Sequence, residues 1–322
     1  MDSIREAANI NIKYQRELDE IICYGIGNFD CSSGSSLQSA KYNAPLIQLA
    51  CVLLLRKSFA MQRHRLDSRD EDGDGNDNDN DGGGDNNDDA DNCEDSSSDN
   101  ISSSYERQQS LVSMVYFEPF IQPIERQVLA HFHVQVLDKN EQGKRCIARG
   151  GGSNGENEAK DKDKDKDTEE VSPEAPSTLF YMPHCPMRLY SNVLWANWKE
   201  ELILNGRTVL FGNSFKAYDE RIISTEQKRD KTNAIFRLLP FASETQVLSS
   251  QGNGNGKDSR IKYRNGSDGG IGISWQELEM AFNDCVVVSF SADADATAEG
   301  SLLFPGQPDE YVVESSEDSE LV

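Results

Sequence analysis

Short, mainly apolar runs set the rhythm of this chain: Ile21–Tyr24, Ser113–Phe117, Val134–Leu137, Thr178–Met182, Thr208–Phe211 and Val286–Phe290. None alternates strictly, as expected of strands covered on both faces by helices. Between them, Leu46–Leu55, Ile124–His131 and Met187–Trp198 carry a helical pattern, and Tyr218–Ile223 a weaker one. Ser274-Trp-Gln-Glu277 is a capping box that opens a short helix to Phe282. Pro45 argues against one unbroken helix from Ser36 and predicts a kink or restart there, with Asn43 as its cap. Strand and helix in turn predict an α/β fold: a single doubly wound, mostly parallel, Rossmann-like sheet.

The rhythm has interruptions. Residues 68–104 are rich in Asp, Asn, Gly and Ser, and residues 150–177 contain KDKDKDKD. Neither segment carries enough apolar groups to offset the entropy of ordering, so both are expected to be disordered inserts. Residues 249–270 read as a flexible loop, and 291–322 as a loose acidic tail. With a helical lead over residues 1–20, this leaves one domain at 21–290.

Charge sharpens that division. The chain carries −24 overall, and Asp67–Asp99 alone holds 15 acidic residues against one basic. With Glu156–Glu174 and Asp309–Glu320 the acidic stretches account for −25, so the remainder is close to neutral. Neither direct nucleic-acid binding nor an anionic membrane surface is expected. The seven cysteines are scattered, with no C-x-x-C pair, and MDSIREAANI has no secretory pattern. The longest apolar run, Leu49–Leu55, is too short to span a bilayer. A reduced, soluble, intracellular protein is the expectation.

In a doubly wound sheet ligands sit beyond the carboxyl ends of the strands. There the sequence places Gly25-Ile-Gly27-Asn28, Glu118-Pro119, Asp138-Lys-Asn140-Glu141, Pro183-His184-Cys185-Pro186 and Gly212-Asn213-Ser214. Glycines let a backbone approach a ligand closely, and an acid ending the second strand is where ribose hydroxyls are accepted. The candidate ligand-binding residues are therefore Gly25, Gly27, Asn28, Glu118, Glu141, His184, Gly212, Asn213 and Ser214. Asn192 and Asn197, hard to explain by packing alone, join them as residues that fix the neighbouring loop. The fingerprint is incomplete: Asp30 replaces the third glycine of G-x-G-x-x-G, and Glu118 lies far beyond the usual spacing of about 20 residues.

Other chemistries fit less well. Asp70-x-Asp72-x-Asp74-Gly75 copies half of a calcium loop but ends in Asp81 rather than Glu. Gly212-Asn-Ser214 lacks the second glycine of a nucleophile elbow. His131-Phe-His133 has no Cys or acid at metal spacing and reads as a helix end entering a strand. Trp195 and Trp198 read as core residues.

Taken together, YGIGNF, VYFEPFIQPIERQVL, VLDKNEQGKR, TLFYMPHCPMRLYSNVLWANW, TVLFGNSF and AFND resemble the "sensitivity to red light reduced" (SRR-like) family. The resemblance runs from about Ile21 to Tyr218 outside the inserts and resumes at Phe282. Cys285-Val-Val-Val288 departs from the hydroxyl-containing strand usual after AFND. The resemblance implies a regulator of circadian-clock input found in cytoplasm and nucleus, with some members linked to haem metabolism. It carries over no catalytic residue and no cofactor. Two readings stand: a regulatory protein with an unidentified protein partner, and a transferase-like enzyme binding a nucleotide-like or other small molecule. They differ in whether Gly25, Gly27, Glu118, His184 and Ser214 converge on one site.

Overall fold

The computed structural model describes residues 18–29, 43–70, 112–147, 176–222, 233–248, 273–292 and 304–306. They form a mixed α/β structure, a seven-stranded sheet with helices packed on both faces. The strands are β1 (Glu20–Tyr24), β2 (Ser113–Phe117), β3 (Gln135–Val136), β4 (Thr178–Met182), β5 (Thr208–Asn213), β6 (Ala242–Gln246) and β7 (Cys285–Phe290). The helices are α1 (Ala44–Asp70), α2 (Pro123–His131), α3 (Met187–Ala196), α4 (Glu200–Ile203), α5 (Phe215–Arg221), α6 (Ala234–Leu238) and α7 (Trp275–Phe282). A 3-10 turn spans Leu239–Phe241.

The strands lie in the order β3-β2-β1-β4-β5-β7-β6. From β3 to β5 all neighbours are parallel, and β7 is antiparallel to both β5 and β6. The chain thus builds outward from β1 to β3, returns, and adds β4 and β5 on the other side of β1. Register follows from two-sided burial. Ile22, Tyr24, Val115, Phe180, Met182 and Leu210 face a core shared with α3, α4 and α6. Ile21, Cys23, Met114, Tyr116, Tyr181 and Phe211 face one shared with α1, α2 and α7. Each large side chain so buried contributes about 1.5–3 kcal/mol, and a one-residue slip of a strand would exchange the two sets.

The predicted strands lie at or within two residues of their expected limits, but four features differ from expectation. The first helix runs to Asp70 rather than Leu55. Pro45 sits in its first turn, where a missing N–H costs nothing, and the Asn43 Oδ1 accepts from Leu46 N–H at 3.0 Å. The fifth helix starts at Phe215, because Ser214 caps it. α6 and β6 carry no sequence signal: β6 reads ASETQ, and pairing with β7 makes it a strand. β7 reverses direction, which its apolar run could not reveal.

By length and composition Ala44–Arg63 is long and apolar enough to cross a membrane. In this fold Leu49, Val52 and Leu55 are buried against the sheet and its neighbours while Leu54 and Met61 are exposed, the one-sided burial of a helix packed on a sheet. Among the described residues all five cysteines are free, four of them buried.

Residues 68–70 of the first insert continue α1, and Ser177, at the end of the second, exchanges hydrogen bonds with Asp19. Apart from Pro176, the rest of both inserts, with the calcium-like loop after Asp70, lies outside the described residues. So do the lead before Leu18, the loop 249–270 and most of the tail.

Candidate functional site

The turn after β1 shows why it is built from glycine. Gly25 and Gly27 have φ of +62° and +90°, which other residues rarely adopt. A Cβ on Gly25 would stand 2.9 Å from Cys185 Sγ, and one on Gly27 3.3 Å from a Pro45 ring carbon. Because Tyr24 pairs with Phe117, Gly25 and Glu118 leave the sheet side by side. Gly27 N–H donates to Glu118 Oε2 at 2.9 Å, and Phe29 N–H donates to Glu125 Oε1. Glu125 is the third residue of α2, and its other oxygen accepts from Gln122 N–H at 2.7 Å. Two amides that a phosphate would use are thus held by two carboxylates. This turn is lined by acid and is no anion cradle.

Burial raises the Glu118 carboxyl above its ordinary range; backbone hydrogen bonds from Gly27 and Phe120 partly oppose it, and nearby Glu125 adds to it. An acid raised on folding binds its proton more tightly in the native state. Its contribution to stability is present below the ordinary carboxylate pKa and lost as pH rises through the raised folded value. Glu118→Gln keeps an oxygen for Gly27 N–H and removes the titration. The thermal midpoint of the parent should therefore fall relative to that of Glu118→Gln as pH increases across this window. Parallel midpoint curves would remove Glu118 as the cause.

The ends of β4 and β5 form a second group. His184, at φ +57°, donates its backbone N–H to Asn213 Oδ1 at 3.2 Å. Its Nε2 lies 3.0 Å from Ala281 O, which can only accept, so that nitrogen carries the proton. Asn213 Nδ2 donates to Cys185 O at 3.1 Å and to Tyr218 Oη at 2.8 Å, and its N–H donates to Tyr190 Oη at 2.9 Å. The Tyr190 hydroxyl donates in turn to Met182 O. Gly212 makes room for this ring: its absent side chain leaves the space that the Tyr190 hydroxyl occupies. Cys185 is buried, and its thiol donates to Tyr24 O at 3.3 Å. Burial pushes that thiol up, which keeps it protonated as a packed hydrogen-bond donor.

Ser214 is turned away from these groups. Its Oγ accepts from Ala217 N–H at 3.0 Å and donates to Glu244 Oε2 at 2.7 Å, a helix cap fastened to β6. Glu141 accepts from Tyr24 Oη at 3.2 Å and pairs with Arg145, which also reaches Glu20. Asn192 Nδ2 donates to Gln142 O at 2.8 Å. Asn197 Oδ1 accepts from Ile147 N–H at 2.7 Å while its Nδ2 donates to Arg145 O and Val193 O. Both asparagines therefore bind the loop 141–147 to α3. Asn28 is exposed at the crest of the first turn.

The structure thus gathers Gly25, Gly27 and Glu118 in one cluster, and His184, Gly212 and Asn213 in another. Cys185 touches both. Around the first turn, three large apolar side chains stand open: Leu46 next to Pro45, Phe120 at 63% exposure two residues after Glu118, and Ile124 beside Glu125. Glu125, Cys185, Tyr190 and Tyr218 were absent from the sequence-based site. Glu125 had a local signal in the Gln122-x-x-Glu125 spacing of a capping box, and Cys185 in its place after the fourth strand; Tyr190 and Tyr218 had none. Among the described residues no cluster of His, Cys, Asp and Glu could hold a metal ion. His131 and His133 are both exposed at the end of α2.

The SRR1 domain family matches residues 98–290. The chain is 31% identical over 108 residues to the SRR1-like protein of Mus musculus, covering 34% of this chain and 32% of that one. It is 33% identical over 131 residues to Protein SENSITIVITY TO RED LIGHT REDUCED 1 of Arabidopsis thaliana, covering 41% and 37%. Against the SRR1-like protein of Drosophila melanogaster it is 27% identical over 141 residues, covering 44% and 38%. These matches span about a third of the length of the curated relatives. No solved structure matches. The domain match takes in β2 to β7, every strand but the first, and on it the chain belongs to the SRR1 domain family.

Proposed function

We propose that this is a regulatory protein whose sheet is a Rossmann-like, doubly wound scaffold carrying a nucleoside-type ligand at its carboxyl edge. The name of the Arabidopsis relative ties that protein to red-light sensitivity. For this chain the family resemblance suggests a role in light or circadian-clock input, exercised with a protein partner in cytoplasm and nucleus. That part rests on kinship alone.

The ligand reading rests on one observation: the Gly25–Gly27 turn and Glu118 meet where the strand order reverses at β1. Doubly wound sheets bind ligands at that kind of point. The chemistry of the turn narrows the class. With Gly27 and Phe29 amides committed to Glu118 and Glu125, a phosphate would meet two carboxylates instead of two donors. A ribose diol suits Glu118, which has lone pairs left to accept hydroxyls. Exposed Phe120 offers a ring on which a base can stack. The favoured ligand is neutral or cationic, such as adenosine or S-adenosylmethionine, rather than NAD or ATP.

A thermal-shift series with the full chain tests this. Adenosine and S-adenosylmethionine at a hundred times their dissociation constants should each add about 2.7 kcal/mol of stability, and Glu118→Gln should diminish the gain. NAD and ATP should add less at equal concentration. A series in which only the phosphate-bearing compounds stabilise would overturn the reading. Stabilisation by S-adenosylmethionine alone would favour the transferase-like enzyme, because adenosine lacks the transferable group.

A further inference from the structure

Far along the chain from the carboxyl-edge turn, a short segment of the tail is seated against the helical layer. Phe304 packs its ring on Trp198, with centroids 5.3 Å apart, and on Phe241 at 6.3 Å. Trp198 Nε1–H donates to Pro305 O at 2.9 Å, and Arg237 Nη1 donates to Gly306 O at 2.7 Å. Arg237 is itself held over the Trp195 ring, 5.7 Å from its centroid, and Trp195 stacks on Trp198 at 4.2 Å. The notch thus has an aromatic floor, an indole donor and a fixed guanidinium donor, supplied by α3 and its end, α6 and the 3-10 turn.

Three features set this contact apart from ordinary core packing. The notch residues, from Trp195 to Phe241, lie inside the 98–290 domain match, whereas Phe304–Gly306 lies outside it. Both directed hydrogen bonds go to backbone carbonyls of the segment, the atoms that any peptide would present. An aromatic residue before proline is biased to extended backbone, so such a ligand arrives nearly in shape. Aromatic grooves with an indole donor read proline-containing peptides by this logic. Gly306 contributes no steric requirement, since a Cβ there would meet nothing within 4 Å. The site therefore reads an aromatic residue followed by proline, and then one further carbonyl.

We propose that this notch is a docking site for an extended aromatic–proline segment of a partner protein, and that Phe304-Pro305-Gly306 is its resident occupant in cis. The tail leaves the sheet beside the notch: Ser291 N–H donates to Phe241 O at 3.0 Å. The covalent connection through residues 293–303 keeps the resident at an effective concentration on the order of millimolar. A partner segment must compete with it, and the tail sets the threshold for docking.

The test uses a fluorescein-labelled peptide spanning Ser301–Asp309 and the full chain, read by fluorescence anisotropy. The Phe304→Ala chain, whose resident segment has lost its ring, should bind the peptide about tenfold more tightly than the parent, for a peptide of roughly 100 μM affinity. Adding Trp198→Phe, which keeps an aromatic ring and deletes the indole donor, should weaken that binding. A peptide with Phe304→Ala should not bind. If Phe304→Ala is not folded at the assay temperature, Pro305→Ala replaces it, with a smaller gain expected. No binding to any folded variant, equal binding to parent and variant, or binding indifferent to Trp198 would each overturn the proposal.

Discussion

Gly212→Ala should be among the most damaging single substitutions in this protein. The added methyl would stand 2.7 Å from Tyr190 Cε1 and 2.8 Å from Met182 O, and closer still to the Tyr190 hydroxyl. Met182 O belongs to the paired strand β4 and cannot move, so the ring must leave. Its departure breaks the hydrogen bonds to Met182 O and from Asn213 N–H, each worth about 1 kcal/mol net, with a further penalty for groups left unpaired in the interior. Overpacking strain adds about 1–3 kcal/mol. Denaturant unfolding should show a loss of about 3–5 kcal/mol, a large part of the ~5–15 kcal/mol that holds a domain together. Tyr190→Phe removes the atom that blocks the methyl most closely. In its background the cost of Gly212→Ala should shrink by 1 kcal/mol or more, a coupling that a double-mutant cycle measures. Additive losses would mean that the methyl clashes elsewhere.

Asn197→Ala should come next. The side chain is 1% exposed and joins three backbone groups: Ile147 N–H, Arg145 O and Val193 O. Truncation leaves a buried N–H without an acceptor and opens a cavity, for a combined loss of about 2–4 kcal/mol. The damage should be local before it is global. Glu141 sits on the same loop and holds the Tyr24 hydroxyl at the end of β1, so freeing the loop loosens one wall of the carboxyl edge. Hydrogen exchange at the Ile147 amide should accelerate more than exchange at the β1 and β4 amides. Equal acceleration everywhere would show that Asn197 acts only on global stability.

These two residues show where sequence reasoning stops. In sequence Gly212 is a glycine at a strand end that admits a ligand. The structure uses the same absence of a side chain to admit Tyr190, a residue distant along the chain whose hydroxyl ties β4 to β5. In sequence Asn197 is a residue that fixes its neighbouring loop, and the loop it holds is one whose connection to α3 passes through the second insert and β4. The type of each residue was legible, but the partner was not, because a partner is chosen by packing between segments far apart in sequence.

The same division runs through the whole protein. Local chemistry determined the elements with a strong pattern: apolar runs became strands, Asn43 and Ser274 became caps, and Gly25 and Gly27 marked positive φ. Those are properties of a few consecutive residues, so the sequence alone states them. Tertiary pairing decided the rest. ASETQ is a strand only because β7 lies beside it, and β7 is antiparallel only because α7 delivers it to β5 at the carboxyl edge. In sequence Glu118 reads as an acceptor at the end of a strand, with nothing to say which amides it would meet. Folding buried it against Gly27 N–H and set Glu125 beside it, which turned a turn that could have held phosphate into one lined with acid. Charge, burial and hydrogen-bond partner at that point are fixed by segments some ninety residues apart, and no window along the chain contains both.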